Sequence, residues 1–252
     1  MKYFKYFSPK LNGSETGRKN EEYEVGYLEV IKAFAVAKYE SIYIIDCQKK
    51  SFEYVSENPL FLCGHTAEEV QEMGYDFYLN NITKSDLEVF ETINTIGFEY
   101  YYRITNHHKT DYTISCDFHL KDQKGKTSLV HQKIIPIYFT STGEIWKALG
   151  IVSLSCARKA GNITIYQKGG NTLFKYNRES GFWQKEERVN LSSREKEIIQ
   201  LSARGYTVNE IAEILFISFD TVKFHKKKMF IKIGVTSISE AIIFALTHNL
   251  MD

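Results

Sequence analysis

Residues 191–252 carry the sequence pattern that most constrains the fold. Three times in this segment a serine or threonine stands three residues before a glutamate, starting at Ser192, Thr207 and Ser237. In such a capping box the hydroxyl accepts a hydrogen bond from the first helical turn, and the carboxylate reaches back to the N–H of the capping residue. Ser218 can cap a further helix. The sequence therefore predicts four short helices close together.

The second and third of these helices are separated by a very short connection. The second helix carries an apolar stripe at the i, i+3, i+4, i+7 spacing, formed by Val208, Ile211, Ala212 and Leu215. Only residues 216–218 remain before the third helix, and so short a connection forces a sharp angle between two short helices. This combination predicts a helix-turn-helix.

The third helix concentrates positive charge. Between Thr221 and Lys232 it has no acidic residue but carries Lys223, Lys226, Lys227, Lys228 and Lys232. At about 100° per residue, an apolar stripe of Val222, Met229 and Ile233 lies opposite Lys223, Phe224, Lys227 and Lys228. Such a helix suits the major groove of DNA, where ammonium groups reach phosphates and guanine acceptors. The alternative is a solvated basic face without a partner.

This segment is similar throughout to the LuxR/GerE-type DNA-binding domain. The resemblance rests on Leu191, Ser192, Arg194 and Glu195, Gly205, Glu210-Ile-Ala, Ile217-Ser218, Thr221-Val-Lys223, His225 and Lys232-Ile-Gly-Val235. It implies that Lys223, Phe224 and Lys227 face bases, with Lys228 on the same DNA-binding surface. It makes Ser218, Thr221 and Lys232 candidates for phosphate contacts. For His225, a hydrogen bond between helices is favoured over a DNA contact.

The last predicted helix, residues 238–248, is apolar nearly all round. One side can cover the helical core with Ile238, Ala241, Ile242 and Ala245. The surplus apolar residues are Ile243, Phe244, Leu246 and Leu250, and they predict a homodimer interface, as the resemblance implies. A two-fold dimer predicts an inverted-repeat DNA site. Packing of this surplus against the N-terminal part of the chain is the alternative.

Residues 35–158 resemble a PAS sensory domain. A predicted strand pair at 41–46 and 52–55 leads into a capping box at Thr66-Ala-Glu-Glu69. A further helix is predicted from Thr83 to about Thr95, and three strands follow at 112–120, 126–140 and 144–156. The first of these strands alternates apolar and polar residues, which predicts one buried face. The residues that carry the resemblance are Gly64, Thr66, Glu68 and Glu69, which follow a predicted hairpin.

The predicted fold class is α+β, with a PAS-like antiparallel sheet and flanking helices followed by an all-α four-helix helix-turn-helix domain. We expect an N-terminal tail and leading helix to form a segment over 1–34. The helix itself is predicted over 21–38 and so runs into the start of the next domain. The PAS-like domain follows over 35–158 and the DNA-binding domain over 188–252. Residues 159–187 form a predicted β-hairpin and short strand that either extend the sheet or link the domains.

Composition and motifs restrict the functional classes. Net charge is +1, and the four cysteines form no CxxC pair, which favours a reduced compartment over a zinc ribbon or disulfide framework. No apolar run has the length of a signal peptide core or membrane span, so we expect a soluble, cytoplasmic protein. No enzyme motif is present, so no catalytic residue is assigned. Cys63-Gly64-His65 and His107-His108 are poor metal candidates, and any PAS cofactor is unknown.

The sequence therefore predicts a transcription regulator. A small-molecule or protein signal at the PAS-like domain controls a dimeric domain that binds double-stranded DNA, with no membrane contact. Activation by phosphorylation is disfavoured, because the N-terminal half lacks the alternating βα order of a receiver domain. The alternative is a signalling module whose C-terminal helices bind a protein.

Overall fold

A computed structural model describes residues 26–38, 41–103, 109–248 and 250–251. The N-terminal part contains the helices α1 (Tyr27–Lys38), α2 (Pro59–Leu62), α3 (Ala67–Met73), α4 (Asp76–Asn81), α5 (Leu87–Thr92) and α6 (Phe98–Tyr102). Its strands are β1 (Ser41–Asp46), β2 (Ser51–Val55), β3 (Tyr112–Lys121), β4 (Thr127–Phe139), β5 (Ile145–Leu154), β6 (Gly161–Gln167), β7 (Thr172–Asn177) and β8 (Phe182–Glu187). The C-terminal helices are α7 (Ser193–Ala203), α8 (Val208–Ile214), α9 (Phe219–Ile233) and α10 (Ile238–Thr247).

All eight described strands form one antiparallel sheet in the order β2-β1-β5-β4-β3-β6-β7-β8. The predicted strand pair and three-strand meander supply the first five positions. Of the two alternatives for residues 159–187, the structure selects extension of the sheet, because β6 pairs with β3 and β7 and β8 follow. β2 and β8 are the edges, and β8 is almost entirely solvent-exposed.

Helices α2 to α6 cover one face of the first five strands. The core between them is aromatic, with Tyr43 stacked on Phe61 at a ring-centroid distance of 4.8 Å. The capping box predicted before α3 is confirmed: the Glu69 N–H donates to Thr66 Oγ1 at 3.2 Å, and the Thr66 N–H donates to Glu69 Oε2 at 2.9 Å. The predicted fold class is therefore confirmed in its N-terminal half.

Two local predictions for this half were wrong. Thr83 does not cap a helix. Asp86 precedes α5 without capping it, and its carboxylate instead bonds the backbone and ring of His119. The helical path also continues beyond Thr95, through a π-helical turn at Ile93–Gly97 into α6.

The second wrong prediction concerns β3, which is buried on both faces rather than one. On its polar face, the buried Asp117 carboxylate accepts from Ser155 Oγ and Asn162 Nδ2, and Asp117 Oδ1 lies 2.9 Å from His131 Nδ1. Polar partners on neighbouring strands thus replace the solvent that an alternating pattern predicts.

The N-terminal core encloses a cavity of about 20 Å³, lined by residues that include Tyr78, Gln132 and Ile134. An open cleft of about 590 Å³ lies beside it, and the two share Cys47, Tyr75, Phe90, Asn94 and Phe98. The cavity has room for about one water molecule. A larger molecule therefore requires the α5–α6 segment to move.

Several predictions fall partly or wholly outside the described residues. The leading helix, predicted over 21–38, spans Tyr27–Lys38 within the described residues. Residues 1–25 and His107-His108 lie outside the described residues. Among the described residues, no single helix has the length and hydropathy of a membrane span. α9 and α10 have the length and apolar composition of a membrane span only when taken together, and the two helices are bent by 54° relative to each other.

We expect Gly150→Ala to destabilise the protein by at least about 2 kcal/mol, because overpacking a filled core forces strain. A Cβ at position 150 would lie 1.9 Å from Cζ of Tyr43, in the middle of the aromatic core. Thermal unfolding followed by circular dichroism measures the effect. Gly26→Ala is the control, since nothing lies within 4 Å of a Cβ there. Equal melting temperatures for the two variants would contradict the described packing.

Candidate nucleic-acid interface

Capping bonds fix the start of each C-terminal helix. The boxes at Ser192 and Thr207 are reciprocal, as predicted, with Glu195 and Glu210 returning bonds to the capping N–H groups at 2.8 and 2.7 Å. At Ser237 only half of the prediction is confirmed. Its hydroxyl accepts from the Glu240 N–H, but the Glu240 carboxylate bonds Thr236 instead.

The connection between α8 and α9 is as tight as predicted. The Ile217 N–H donates to the Ala212 carbonyl at 3.0 Å, and Phe216 takes a left-handed backbone conformation with φ of 53°. Ser218 then caps α9 by accepting from the Thr221 N–H at 3.1 Å. These bonds set the angle at which α9 leaves the turn.

One side of α9 joins the two apolar clusters of the helical region. Val222 packs with Ile198 and Ile211, whereas Met229 and Ile233 pack with a second cluster around Ile199. Each member of the α9 stripe is buried, as predicted. Gly234 ends the helix in the left-handed conformation that glycine accepts readily. The stripe therefore fixes which side of α9 faces outward.

The outward side carries the residues predicted to contact DNA. Lys223, Phe224, Lys227 and Lys228 are exposed, and Phe224 has 62% of its surface accessible. The Lys223 ammonium lies 4.2 Å from the ring centroid of Phe219, one helical turn earlier. This cation–π contact restrains Lys223 at the start of the helix. We call these five side chains, Phe219, Lys223, Phe224, Lys227 and Lys228, the outer face of α9.

Two lysines of α9 differ from those on its outer face. Lys226 is half-buried, and burial lowers its pKa, so its position beside the apolar stripe separates it from the exposed lysines. Lys232 Nζ bonds Glu195 Oε2 at 3.2 Å. Glu195 is only 2% exposed. Lys232 thus helps to hold α9 against the start of α7, and its predicted phosphate contact stays a prediction.

Ser218, Thr221 and His225 are the remaining residues of this region with a predicted role. The hydroxyls of Ser218 and Thr221 are 2.8 Å apart at the first turn, so both predicted phosphate contacts lie at one helix end. His225 is half-buried, and its ring meets the ring of Phe224 at 5.8 Å with an interplanar angle of 71°. The hydrogen bond predicted for His225 stays a prediction.

The residues of α10 face three directions: the helical core, solvent and the sheet. Ala241 and Ala245 are buried in the helical core, as predicted. Ile243 and Leu246 are 40% and 62% exposed, which fits the predicted surplus. Phe244 and Leu250, also predicted as unburied, pack partly against the helical core instead. The free apolar face of α10 therefore consists of Ile243 and Leu246.

The third direction of α10 faces the sheet. Lys133 Nζ donates to the Thr247 carbonyl, and the rings of His131 and His248 lie 5.6 Å apart. A cavity of about 440 Å³ opens at this junction, lined by β-sheet residues and by Phe244 and His248. Burial and, secondarily, the nearby His131 and Lys133 lower the pKa of His248 to about 3. His248 is therefore neutral in this arrangement at physiological pH.

The Cys63-Gly64-His65 segment, predicted to be a poor metal candidate, carries a buried thiol beside an imidazole that contacts Gln123. Among the described residues no group of three or more His, Cys, Asp or Glu is placed to hold a metal ion. Burial raises the pKa of the Cys63 thiol to about 12, and His65 Nδ1 lies 3.0 Å from Gln123 Nε2. Because the thiolate is the reactive form, a thiol with so high a pKa is a weak nucleophile at neutral pH.

Comparison with known proteins places the helical region in a family. The profile described as "Bacterial regulatory proteins, luxR family" matches residues 189–245. Residues 189–245 are a luxR-family domain. Over 62 residues, or 25% of this chain, the sequence is 45% identical to the oxygen regulatory protein NreC of Staphylococcus aureus strain JH9. The match spans 29% of the length of that relative.

Solved structures give two further similarities. The structure of the transcription factor GerE is 37% identical over 26% of this chain and all of that chain, with a TM-score of 0.24. A Vibrio cholerae VqmA structure aligns with 89% of this chain and 88% of its own at 19% identity, with a TM-score of 0.35.

Sequence reasoning missed two features of this surface. Phe219 stands immediately after the Ser218 cap, and its spacing of four from Lys223 was the available signal for their contact. The half-burial of Lys226 follows from its place next to the Val222 and Met229 stripe on a helical wheel. Packing of the last helix against the N-terminal part was one of two predicted alternatives, but the contacting residues were not identified, since Lys133 and Thr247 are far apart in the chain.

We expect Glu195→Gln to lower the stability of the luxR-family domain by about 1 kcal/mol at pH 7, because glutamine keeps the cap but loses the Lys232 ion pair. Burial tends to raise the pKa of Glu195, but the Ser192 backbone N–H and the Lys232 ammonium outweigh it and hold the pKa below its ordinary value. The carboxylate therefore stabilises the fold above the unfolded pKa, near 4.5.

Urea unfolding at several pH values tests this linkage. The difference between wild type and Glu195→Gln should be constant near neutrality and shrink as the pH falls through the lowered pKa of Glu195. A difference that persists unchanged in acid would show that the ion pair is not its source.

Proposed function

We propose that this chain is a sequence-specific DNA-binding transcription regulator that uses the outer face of α9 to read the major groove. The observation that carries the proposal is the orientation of α9: its apolar stripe is buried, and Lys223, Lys227 and Lys228 are exposed on the opposite side. The luxR-family match and the similarity to the regulatory protein NreC support the same function.

Charge distribution supports DNA rather than an acidic small molecule as the partner. The whole chain carries only +1, so a general attraction to polyanions is weak. The positive field is instead concentrated on one exposed helix face, with the hydroxyls of Ser218 and Thr221 at its first turn. Lysine contacts and hydroxyl contacts to phosphates position a helix, and side chains in the middle of the face reach base edges.

A homodimer completes the proposal. The exposed Ile243 and Leu246 form a short apolar face on α10 that the rest of the described chain leaves open. Phe244 and Leu250, which were also predicted to join this face, pack partly against the helical core. Two-fold pairing through α10 places two recognition helices about one DNA turn apart, on an inverted-repeat site.

The sheet is proposed to sense a signal and to pass it to the luxR-family domain through β4. Neighbouring residues of a strand point to opposite faces of the sheet. Gln132 lines the core cavity and accepts from Tyr78 Oη at 3.4 Å. Its neighbours His131 and Lys133 contact α10 on the other face. A ligand or partner that displaces Gln132 thus shifts the two residues that hold α10.

Selection from random duplex DNA at physiological salt tests the proposed function. We expect the full chain to enrich an inverted repeat and a variant with Lys223→Ala and Lys227→Ala to lose it. A double variant of two exposed lysines outside α9, Lys168→Ala in the turn after β6 with Lys185→Ala on β8, is the charge-matched control. If full-length protein enriches nothing, the same selection with residues 188–252 separates a resting state from a domain that does not bind DNA.

Salt dependence provides the quantitative form of this prediction. Each lysine that neutralises a phosphate contributes roughly −0.9 to the slope of log affinity against log salt. If Lys223 and Lys227 each neutralise a phosphate, the α9 double variant flattens the slope by roughly 2 per domain, whereas contacts to bases alone and the control variant leave it nearly unchanged.

A protein-binding role for the helical domain is the second candidate. The observation that favours it is the exposed apolar surface of Phe216 and Ile231, which lies beside the basic residues. Binding through such a surface responds weakly to salt, whereas phosphate-dominated binding falls steeply. The salt slope therefore distinguishes the two functions.

The junction predicts a pH dependence. Undocked His248 has an ordinary pKa near 6.5, and in the junction it is about 3, so docking is fully stabilised above pH 6.5 and weakens as the pH falls towards 3. At pH 5.5 the loss is about 1.4 kcal/mol. The groups facing His248 include His131, Lys133, Asp117 and Arg188.

Hydrogen exchange of the α10 amides between pH 7.5 and 5.5, corrected for intrinsic rates, measures this loss. His248→Gln should remove the component due to His248. Equal pH dependence in wild type and variant would exclude His248 as the responsible group.

A further inference from the structure

We infer that Phe224 contacts the 5-methyl group of a thymine and thereby fixes one base of each half-site. The inference rests on the DNA-binding function proposed above and names the chemistry that the outer face of α9 reads.

Within the part of the chain that the structure describes, Phe224 makes no core contact that explains its presence. It belongs to neither apolar cluster of the helical region, and 62% of its surface is accessible. The described aromatic contact of its ring is with His225, the next residue, at 5.8 Å. A phenylalanine in this position exposes apolar surface to water and has a lower helix propensity than alanine. Its contribution is therefore expected in a complex.

The position of Phe224 directs its ring towards base edges. On a helical wheel it lies nearly opposite the stripe of Val222, Met229 and Ile233, and Lys227 and Lys228 flank it on the same exposed side. Contacts from these lysines to the phosphates or to guanine hold the helix in the groove. The central ring then lies closer to the bases than to the sugar-phosphate backbone.

The chemistry of the major groove leaves one partner for such a ring. Phenylalanine has no hydrogen-bond donor or acceptor. The edges of guanine, cytosine and adenine present polar groups, which a ring would cover without pairing, at a cost in desolvation. Thymine presents a methyl group, the apolar feature of this groove. Phe224 is therefore suited to thymine and selects against the other three bases.

Replacement of thymine by uracil in the selected operator tests the contact, since the two bases differ only by the methyl group. We expect one thymine in each half-site at which uracil weakens binding by the full-length protein about fourfold, which corresponds to about 0.8 kcal/mol for one buried methyl group. Replacing both should weaken it about fifteenfold, because distant contacts add. Fluorescence anisotropy at fixed salt gives these ratios.

Two variants complete the measurement. Phe224→Ala should bind the thymine and uracil operators equally, and thus close a double-mutant cycle between the ring and the methyl group. Ile231→Ala is the matched control. Ile231 is an apolar residue of α9 that is 74% exposed, but it lies about 10 Å further along the helix. This variant should keep the fourfold discrimination.

The outcomes separate this inference from the proposed function. An operator that the protein binds equally well with uracil at every position overturns the thymine contact and leaves DNA binding intact. Discrimination that persists in Phe224→Ala overturns the assignment to Phe224. Failure of both the full chain and residues 188–252 to enrich any motif overturns the proposed function and this inference with it.

Discussion

Burial of the apolar stripe of α9 is the constraint on which the rest of the helical domain depends. Val222 belongs to one apolar cluster, and Met229 and Ile233 belong to the other, so a single helix joins both. A rotation of α9 by one residue would expose part of this stripe and bury charged groups, at a cost of several kcal/mol. The orientation of the lysines is thus fixed by residues that contact no ligand.

The parts of the fold that the sequence predicts best are those encoded by neighbouring residues. The capping boxes at Thr66, Ser192 and Thr207 each place donor and acceptor three residues apart, and the structure confirms all three. Alternation and turn residues located the strands of the meander. Thr83 failed as a helix start because Asp86 is recruited by His119, a residue distant in sequence. Long-range polar partners also explain why β3 is buried on both faces.

The candidate site shows the same division. The outer face of α9 followed from helical periodicity, since its residues share one helix. The role of α10 did not follow, because an apolar helix does not reveal which neighbour covers each side. Tertiary contacts assign Ala245 to the core, His248 to the sheet and Leu246 to solvent. Dimerisation and packing on the sheet were therefore not true alternatives, because different residues of the α10 region are available for each.

The exposed edge strand β8 has a consequence for self-association. Open strand edges offer unpaired backbone groups that template aggregation between copies. β8 carries Lys185, Glu186 and Glu187 in succession, and such a charged edge disfavours a second sheet from adding to it. The charged β8 edge in this way disfavours growth of the sheet into a fibre.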